Sequence, residues 1–176
     1  MNTKKSMVIW VFIGILVISS WLLFSANYAQ AQTTLKFKIF NNIIKAEVMP
    51  FPDEQGHLVG VISREGLALF ENGEVGKQSA VFTFDTRGNT VKFDPITTII
   101  FPDGSSWVFQ TKGTGERSPN GKTMTTKQNG DFVRGTGRYE GIKGTITLTG
   151  TQYGPAEPGK GHWIADVTVT YTLPSK

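Results

Sequence analysis

Apolar and polar residues alternate in short runs from residue 35 to residue 173, and turn residues separate the runs. Alternation with a period of two places the apolar side chains on one face of an extended strand. No stretch after residue 32 shows the 3.6-residue apolar period of a long helix. The pattern predicts about eight strands, over residues 35–46 (one strand or a pair), 57–70, 74–85, 90–101, 105–112, 122–134, 143–153 and 163–173.

The connections between these strands favour an antiparallel arrangement. Asn72-Gly73 suits a tight hairpin turn because both residues tolerate positive φ, and Pro102-Asp103-Gly104 forms a second turn. Closing such a sheet removes its exposed edges. We therefore predict an all-β fold, a single antiparallel eight-stranded β-barrel, with a kink or bulge near Asn129-Gly130. A β-sandwich is the alternative, since strand spacing alone does not separate the two.

The amino-terminal segment has the order of features found in a secretory signal peptide. Lys4 and Lys5 precede an apolar stretch from Met7 to Phe24, and Ala29-Gln30-Ala31 supplies small residues for cleavage. We expect cleavage after Ala31 and one extracytoplasmic domain at residues 32–176, secreted or periplasmic. The apolar stretch is long for a signal and reaches the lower limit for spanning a bilayer. The alternative is therefore an uncleaved membrane anchor at residues 7–24, with the barrel facing outward.

Charge and residue usage exclude several classes of function. The formal net charge of +4 falls to +2 when Lys4 and Lys5 are removed, and the basic residues are scattered, so nucleic acid is not an expected partner. The chain has no cysteine and hence no disulfide framework. His57 and His162 are the only histidines, and neither has the spacing of a metal site. We predict neither a metal nor a cofactor.

Four glycines, at positions 135, 137, 141 and 144, punctuate the segment between the sixth and seventh predicted strands. Their spacing differs from that of a dinucleotide-binding loop, and a strand rather than a helix follows. Such glycines indicate tight bends or close backbone contacts. Glu140, within this segment, either lines the barrel mouth or accepts hydrogen bonds from the turn amides.

This segment, Gly135-Thr136-Gly137-Arg138-Tyr139-Glu140-Gly141-Ile142-Lys143-Gly144-Thr145, resembles the allene oxide cyclase and dirigent barrel superfamily, including its bacterial members. Residues 56–60, 64–68 and 70–74 are similar to the same bacterial members. The resemblance implies an eight-stranded antiparallel barrel with an apolar cavity. It carries over no catalytic site, because the early-strand Glu and Asn of the plant cyclases have no match here and their loop cysteine is absent.

Two ionisable residues in the second predicted strand are catalytic candidates. Alternation makes Arg64 and Glu65 point to opposite faces, so one of them faces the lumen among aliphatic neighbours. Burial there shifts the pKa of a carboxylate upward and makes it a plausible acid or base. The alternative is a structural ion pair or a charge at the barrel rim.

The predicted inner faces are apolar and aromatic. In the last strand, Trp163, Ala165, Val167, Val169, Tyr171 and Leu173 share one face. Aromatic side chains suited to line a cavity for a small hydrophobic molecule are Trp107, Phe109, Phe82, Phe84, Trp163 and Tyr171. The alternative is simple core filling, because a barrel of eight strands is only just wide enough for its own side chains.

These patterns favour an exported barrel that binds a small hydrophobic molecule. Two alternatives stay open. The first is a cofactor-free cyclase or isomerase, or a dirigent-type coupling-control protein, as the resemblance implies; it needs a titratable group poised in the cavity. The second is a structural or protein-interaction barrel whose lumen is filled.

Overall fold

The structure, a computed structural model, describes residues 31–175, which form eight β-strands and one short 3₁₀ turn, with no α-helix among these residues. The predicted signal or anchor, residues 7–24 with Ala29-Gln30, lies outside the described residues. Within residues 31–175, no helix is long and apolar enough to cross a bilayer. The strands are β1 (Thr33–Pro50), β2 (Leu58–Phe70), β3 (Val75–Arg87), β4 (Thr90–Ile100), β5 (Ser106–Arg117), β6 (Thr123–Thr136), β7 (Lys143–Tyr153) and β8 (His162–Thr172), and the 3₁₀ turn covers Gly137–Tyr139.

Each strand pairs antiparallel with its neighbour in sequence, and β8 pairs with β1 to close the barrel. The closing register runs from Thr33 opposite Tyr171 to Asn42 opposite His162. Closure leaves no free sheet edge, which is the physical reason that a set of short antiparallel strands favours this solution. The predicted eight-stranded barrel is confirmed, and the sandwich is not formed.

Two irregularities set the strand geometry. β1 is a single strand of 18 residues, with a register shift between Ile43 and Lys45. In β6 the shift falls at Val133, because Val108 pairs with Arg134 whereas Phe109 pairs with Phe132. The predicted bulge near Asn129-Gly130 is therefore wrong. Position 130 needs glycine for another reason, since a Cβ there would lie 2.0 Å from a backbone oxygen of β5.

One end of the barrel is densely packed around Trp107, which is fully buried. Phe101 and Tyr139 place their ring centroids 5.0 Å and 4.9 Å from it, and Phe70 lies at 5.6 Å. Such edge-to-face contacts contribute beyond simple area burial. We call this end the packed end; its buried side chains also include Phe37, Phe109, Ile146, Val169 and Tyr171.

The glycine-rich segment after β6 closes the packed end. The 3₁₀ turn Gly137–Tyr139 carries Tyr139 into the aromatic cluster, where its side chain is buried. Gly135 makes room for this turn, because a Cβ at that position would lie 2.2 Å from the backbone oxygen of Tyr139. The glycine-rich segment identified in the sequence thus covers the packed end of the barrel.

Candidate functional site

The opposite end of the barrel encloses a cavity of about 820 Å³. Its walls carry a second apolar cluster, distinct from the packed end, that includes Ile62, Phe84 and Phe93. Cavities of about 300 to 1,000 Å³ with mostly apolar walls are typical of small-molecule sites. The lumen is therefore filled at one end and open at the other.

The inner face of β5 explains why the cavity lies at that end. Its inward residues run from Trp107 and Phe109 at the packed end through Thr111 to Gly113 and Gly115. The side chains shrink along the strand, so the barrel interior empties in the same direction. Gly113 leaves space for Phe93, because a Cβ at that position would lie 2.5 Å from the Phe93 ring.

Buried polar side chains lie between the packed end and the apolar cavity walls. They occupy inward positions on six different strands, and each of them lines the cavity. Buried polar groups are costly unless they are paired, so such a ring indicates either a satisfied network or a binding surface. We call this ring the polar belt, and it comprises Asn41, Arg64, Gln78, Thr97, Thr126 and Gln152.

Part of the polar belt is internally satisfied. Trp163 donates its indole Nε1–H to the Thr126 hydroxyl over 3.0 Å. The Asn41 side-chain nitrogen donates to the Gln78 amide oxygen over 3.1 Å. Gly66 stands opposite Asn41 on β1 and opposite Gln78 on β3, so it carries no side chain between them. The Asn41 amide oxygen is buried and has no partner among the described residues.

Arg64 is the one charged member of the polar belt. Its side chain is buried, its Nη2 donates to the Gln152 amide oxygen, and its Nε has no partner within the described chain. The guanidinium carbon lies 5.1 Å from the Phe82 ring centroid and 5.6 Å from that of Trp163. Burial lowers the pKa of Arg64 to about 10, which leaves the group charged at neutral pH.

Loops form the rim of the cavity. The β7–β8 loop is anchored on β1, where the Ile43 amide donates to the Gly161 carbonyl oxygen and the Ile43 carbonyl accepts from the Gly159 amide, both over 2.9 Å. Ala156 of this loop packs against the second apolar cluster. Exposed residues of the β5–β6 connection, including Asn120 and Lys122, complete the rim, so the cavity meets solvent here.

The structure divides the residues singled out in the sequence between three places. Phe82, Phe84, Trp163 and Arg64 line the cavity. Glu65 is exposed on the outer surface, so Arg64 is the member of that pair that faces inward. Glu140 is exposed on the segment that closes the packed end and lies away from the cavity. The other aromatic candidates lie in the packed end rather than on the cavity wall: Trp107, Phe109 and Tyr171.

Sequence reasoning missed Asn41, Gln78 and Gln152 as cavity residues. The sequence does contain a feature that could have identified them. Each is a polar residue at an inward position of its strand, where the alternation predicts an apolar residue. Phe93 was missed for a different reason. Its strand alternates normally, so nothing in the pattern separates a cavity-lining phenylalanine from a core-filling one.

His57 forms a charged cluster in the turn between β1 and β2. Its side chain is buried, its Nδ1 contacts the Asp53 carboxylate, and its Nε2 lies 3.3 Å from Asp85. Arg87 lies 3.2 Å from the other Asp53 oxygen. These contacts hold the turn in place. The turn lies near the cavity rim, because Val48 before it and Leu58 after it both line the cavity. Across residues 31–175, no three His, Cys, Asp or Glu side chains are grouped to hold a metal ion.

We expect this turn to be held more tightly at mildly acidic than at alkaline pH. The hydrogen bond to Asp53 raises the pKa of His57 above its usual 6.5, although the Arg87 charge and burial oppose the rise. The stabilisation is then complete below pH 6.5 and is lost as the pH rises through the raised value. The same bond lowers the pKa of Asp53 below its usual 3.8, so acid removes the contact only below that value.

His57→Gln should therefore lower the thermal midpoint more at about pH 5.5 than at about pH 9. His162→Gln is the matched control, because His162 is the only other histidine and is exposed. Differential scanning calorimetry of both variants at the two pH values tests this prediction. An equal effect of His57→Gln at both pH values would contradict it.

Comparison with known proteins supports the architecture. No protein-family model matches the chain. No curated protein matches it at a significant level of sequence similarity. Among solved structures, the pterocarpan synthase dirigent protein GePTS1 is similar, with a TM-score of 0.50 and 14% sequence identity over 84% of this chain and 87% of that one. A likeness at this identity shows the fold alone, which is that of a dirigent-like barrel.

Proposed function

We propose that this chain is an exported barrel that binds a small hydrophobic molecule in its cavity. The observation that carries the proposal is the cavity of about 820 Å³, walled by aromatic and aliphatic side chains and open to solvent through its loop rim. A barrel with a purely structural role would be expected to fill this volume with its own side chains, because space that side chains leave unfilled loses packing energy. The cavity thus argues against the alternative of a structural barrel with a filled lumen.

Binding can be tested with N-phenylnaphthylamine, a neutral apolar probe whose fluorescence rises when it leaves water. We expect saturable binding to the protein purified from its host, and at least about tenfold weaker binding to Ala80→Phe. Ala80 is buried and lines the cavity, so a phenylalanine at this position occupies the space that the probe needs.

Val81→Phe is the matched control for this experiment. It adds the same side chain to the next residue of β3, which is 53% exposed on the outer surface. Probe affinity should be unchanged in this variant. Equal weakening by the two substitutions, or the failure of every apolar probe to bind the unmodified protein, would contradict the proposal.

A second candidate is a cofactor-free cyclase or isomerase, or a dirigent-type coupling-control protein of the bacterial branch that the sequence resembles. It is favoured by the dirigent-like fold and by an ionisable residue, Arg64, on the cavity wall. Arg64 is suited to stabilise a developing negative charge rather than to transfer protons, because its pKa of about 10 keeps it protonated. The two candidates differ in one result: an enzyme returns the bound compound chemically changed, whereas a binding protein returns it intact.

Export is part of the proposal and has its own test. We expect mass spectrometry of the protein from its native host to find Gln32 as the first residue. Cleavage after Ala31 fits the described fold, because the first paired residue of β1 is Thr33 and no strand residue is removed. Ala31→Glu should block or shift cleavage while export persists, since the apolar stretch drives insertion and the small residue only admits the peptidase.

Gln30→Glu is the control, because the middle position of the Ala-x-Ala site tolerates larger residues. Recovery of the full chain in the membrane fraction would instead identify residues 7–24 as an anchor. Recovery of the full chain in the cytosol would contradict export in either form.

A further inference from the structure

The Arg64 guanidinium is a buried positive charge without a counter-ion in the part of the chain that the structure describes. No carboxylate among residues 31–175 pairs with it, and its only side-chain hydrogen bond is to a neutral amide, that of Gln152. Only 6% of its surface is exposed. A charge removed from water is expensive to bury unless an opposite charge or several hydrogen bonds compensate it. The neighbouring side chains compensate for this cost only in part.

The neighbours of Arg64 leave donor capacity unused. The Phe82 and Trp163 rings lie near the guanidinium and attract it through their π faces, which does not occupy its in-plane N–H groups. Arg64 Nε is buried and makes no hydrogen bond within the described chain. Because a guanidinium presents a planar fork of donors, its natural missing partner is an anionic oxygen group.

Most of the charged side chains that line the cavity are positive. The charged residues that line the cavity are Arg64, Arg117, Lys122 and Glu157, and Glu157 is neutralised by Lys160 at 2.7 Å. Without Arg64, two positive and one negative side chain remain in the lining, a net charge of +1, which favours small anions over cations in the cavity. This observation is independent of the burial of Arg64.

We infer that the molecule bound in the cavity is an amphipathic organic anion, whose apolar body occupies the aromatic walls and whose anionic group, such as a carboxylate, is bound by Arg64. The inference rests on the proposed function, since it names the chemical class of the cavity's ligand. It makes Arg64 a binding residue that selects ligands by charge.

The test compares two probes that share one apolar body. Anilinonaphthalenesulfonate is N-phenylnaphthylamine with an added sulfonate group, so their affinities differ through that charge. We expect the sulfonate to bind the unmodified protein about 10- to 100-fold more tightly, the range of a buried charge-assisted interaction. Ala80→Phe should weaken the binding of both probes at least about tenfold if both occupy the cavity.

Arg64→Met should remove the advantage of the sulfonate and leave the affinity for N-phenylnaphthylamine within about twofold. Arg134→Met is the matched control, because Arg134 is exposed on the outer surface and its replacement should change neither affinity. Circular dichroism verifies that each variant is folded. If Arg64→Met does not fold, the affinities of the two probes for the unmodified protein still test the inference, because equal affinities would contradict it.

The outcomes separate the two proposals. Binding of neither probe would overturn the proposed function itself. Equal affinity of the two probes for the unmodified protein, or an advantage of the sulfonate that persists in Arg64→Met, would overturn the role of Arg64 while leaving a hydrophobic binding barrel intact.

Discussion

Replacing Trp107 by alanine is expected to lower the free energy of unfolding by about 3 to 5 kcal/mol, the range for large aromatic side chains deleted from a core. Trp107 is fully buried, and its ring packs against Phe101, Tyr139 and Phe70. Its indole nitrogen is buried without a hydrogen-bond partner among the described residues, so its contribution comes from packing alone. Removal leaves a void that these rigid rings cannot refill.

Urea denaturation followed by circular dichroism measures this loss. Ile96→Ala is the matched control, because Ile96 is an apolar strand residue that is 51% exposed on the outer surface, where truncation should cost less than about 0.5 kcal/mol. A similar loss in both variants would mean that the packed end does not dominate the stability of the barrel.

Gly66→Ala is expected to lower the free energy of unfolding by about 3 kcal/mol, at the upper end of the usual cost of overpacking. A Cβ at position 66 would lie 1.9 Å from the Phe40 carbonyl oxygen and 2.6 Å from the Asn41 Cα. Both atoms belong to the backbone of β1, so no side chain can move aside. The substitution should also disturb the hydrogen bond between Asn41 and Gln78 that spans this position.

Gly73→Ala is the matched control, because it makes the same change in a hairpin turn. Apart from its two chain neighbours, no described residue has a heavy atom within 4 Å of a Cβ there, but the φ of +85° is unfavourable for alanine. We expect a cost of about 1 kcal/mol in that variant. Thermal unfolding of both variants tests the comparison, and an equal loss would show that backbone conformation, rather than contact with β1, explains the need for glycine.

The alternation of residues was sufficient to predict the strands and how each strand divides its side chains between two faces. In β2 the alternation left open which face points inward, and the structure buries the face containing Ile62, Arg64 and Ala68. In β8, the predicted apolar face from Trp163 to Tyr171 also points inward. These predictions succeed because each depends only on the geometry of one strand.

The position of the cavity could not be read in the same way, because it depends on the register between strands. Trp107 and Phe109 look like cavity-lining aromatics when β5 is considered alone. Their place in the packed end follows from the decreasing side-chain size along the strand and from Tyr139, which is brought against Trp107 by a turn after β6. The decrease in side-chain size along β5 is visible in the sequence. The end of the barrel that the turn closes is not.

The contact between Arg64 and Gln152 could not be predicted from sequence patterns either. The two residues are 88 positions apart and belong to β2 and β7, which are not neighbours in the sheet. Their side chains meet across the lumen only because the sheet closes. The absence of a carboxylate beside Arg64 becomes informative only when its whole surroundings are known.

The central claim is that the cavity, and not the outer surface, binds a small hydrophobic molecule. The most direct measurement is a crystal structure of the protein with bound anilinonaphthalenesulfonate. We expect the probe within the cavity, with its rings against Phe82, Phe84 and Phe93 and its sulfonate in contact with Arg64. A probe bound only on the outer surface, beside a cavity that is closed by its own side chains, would contradict the claim.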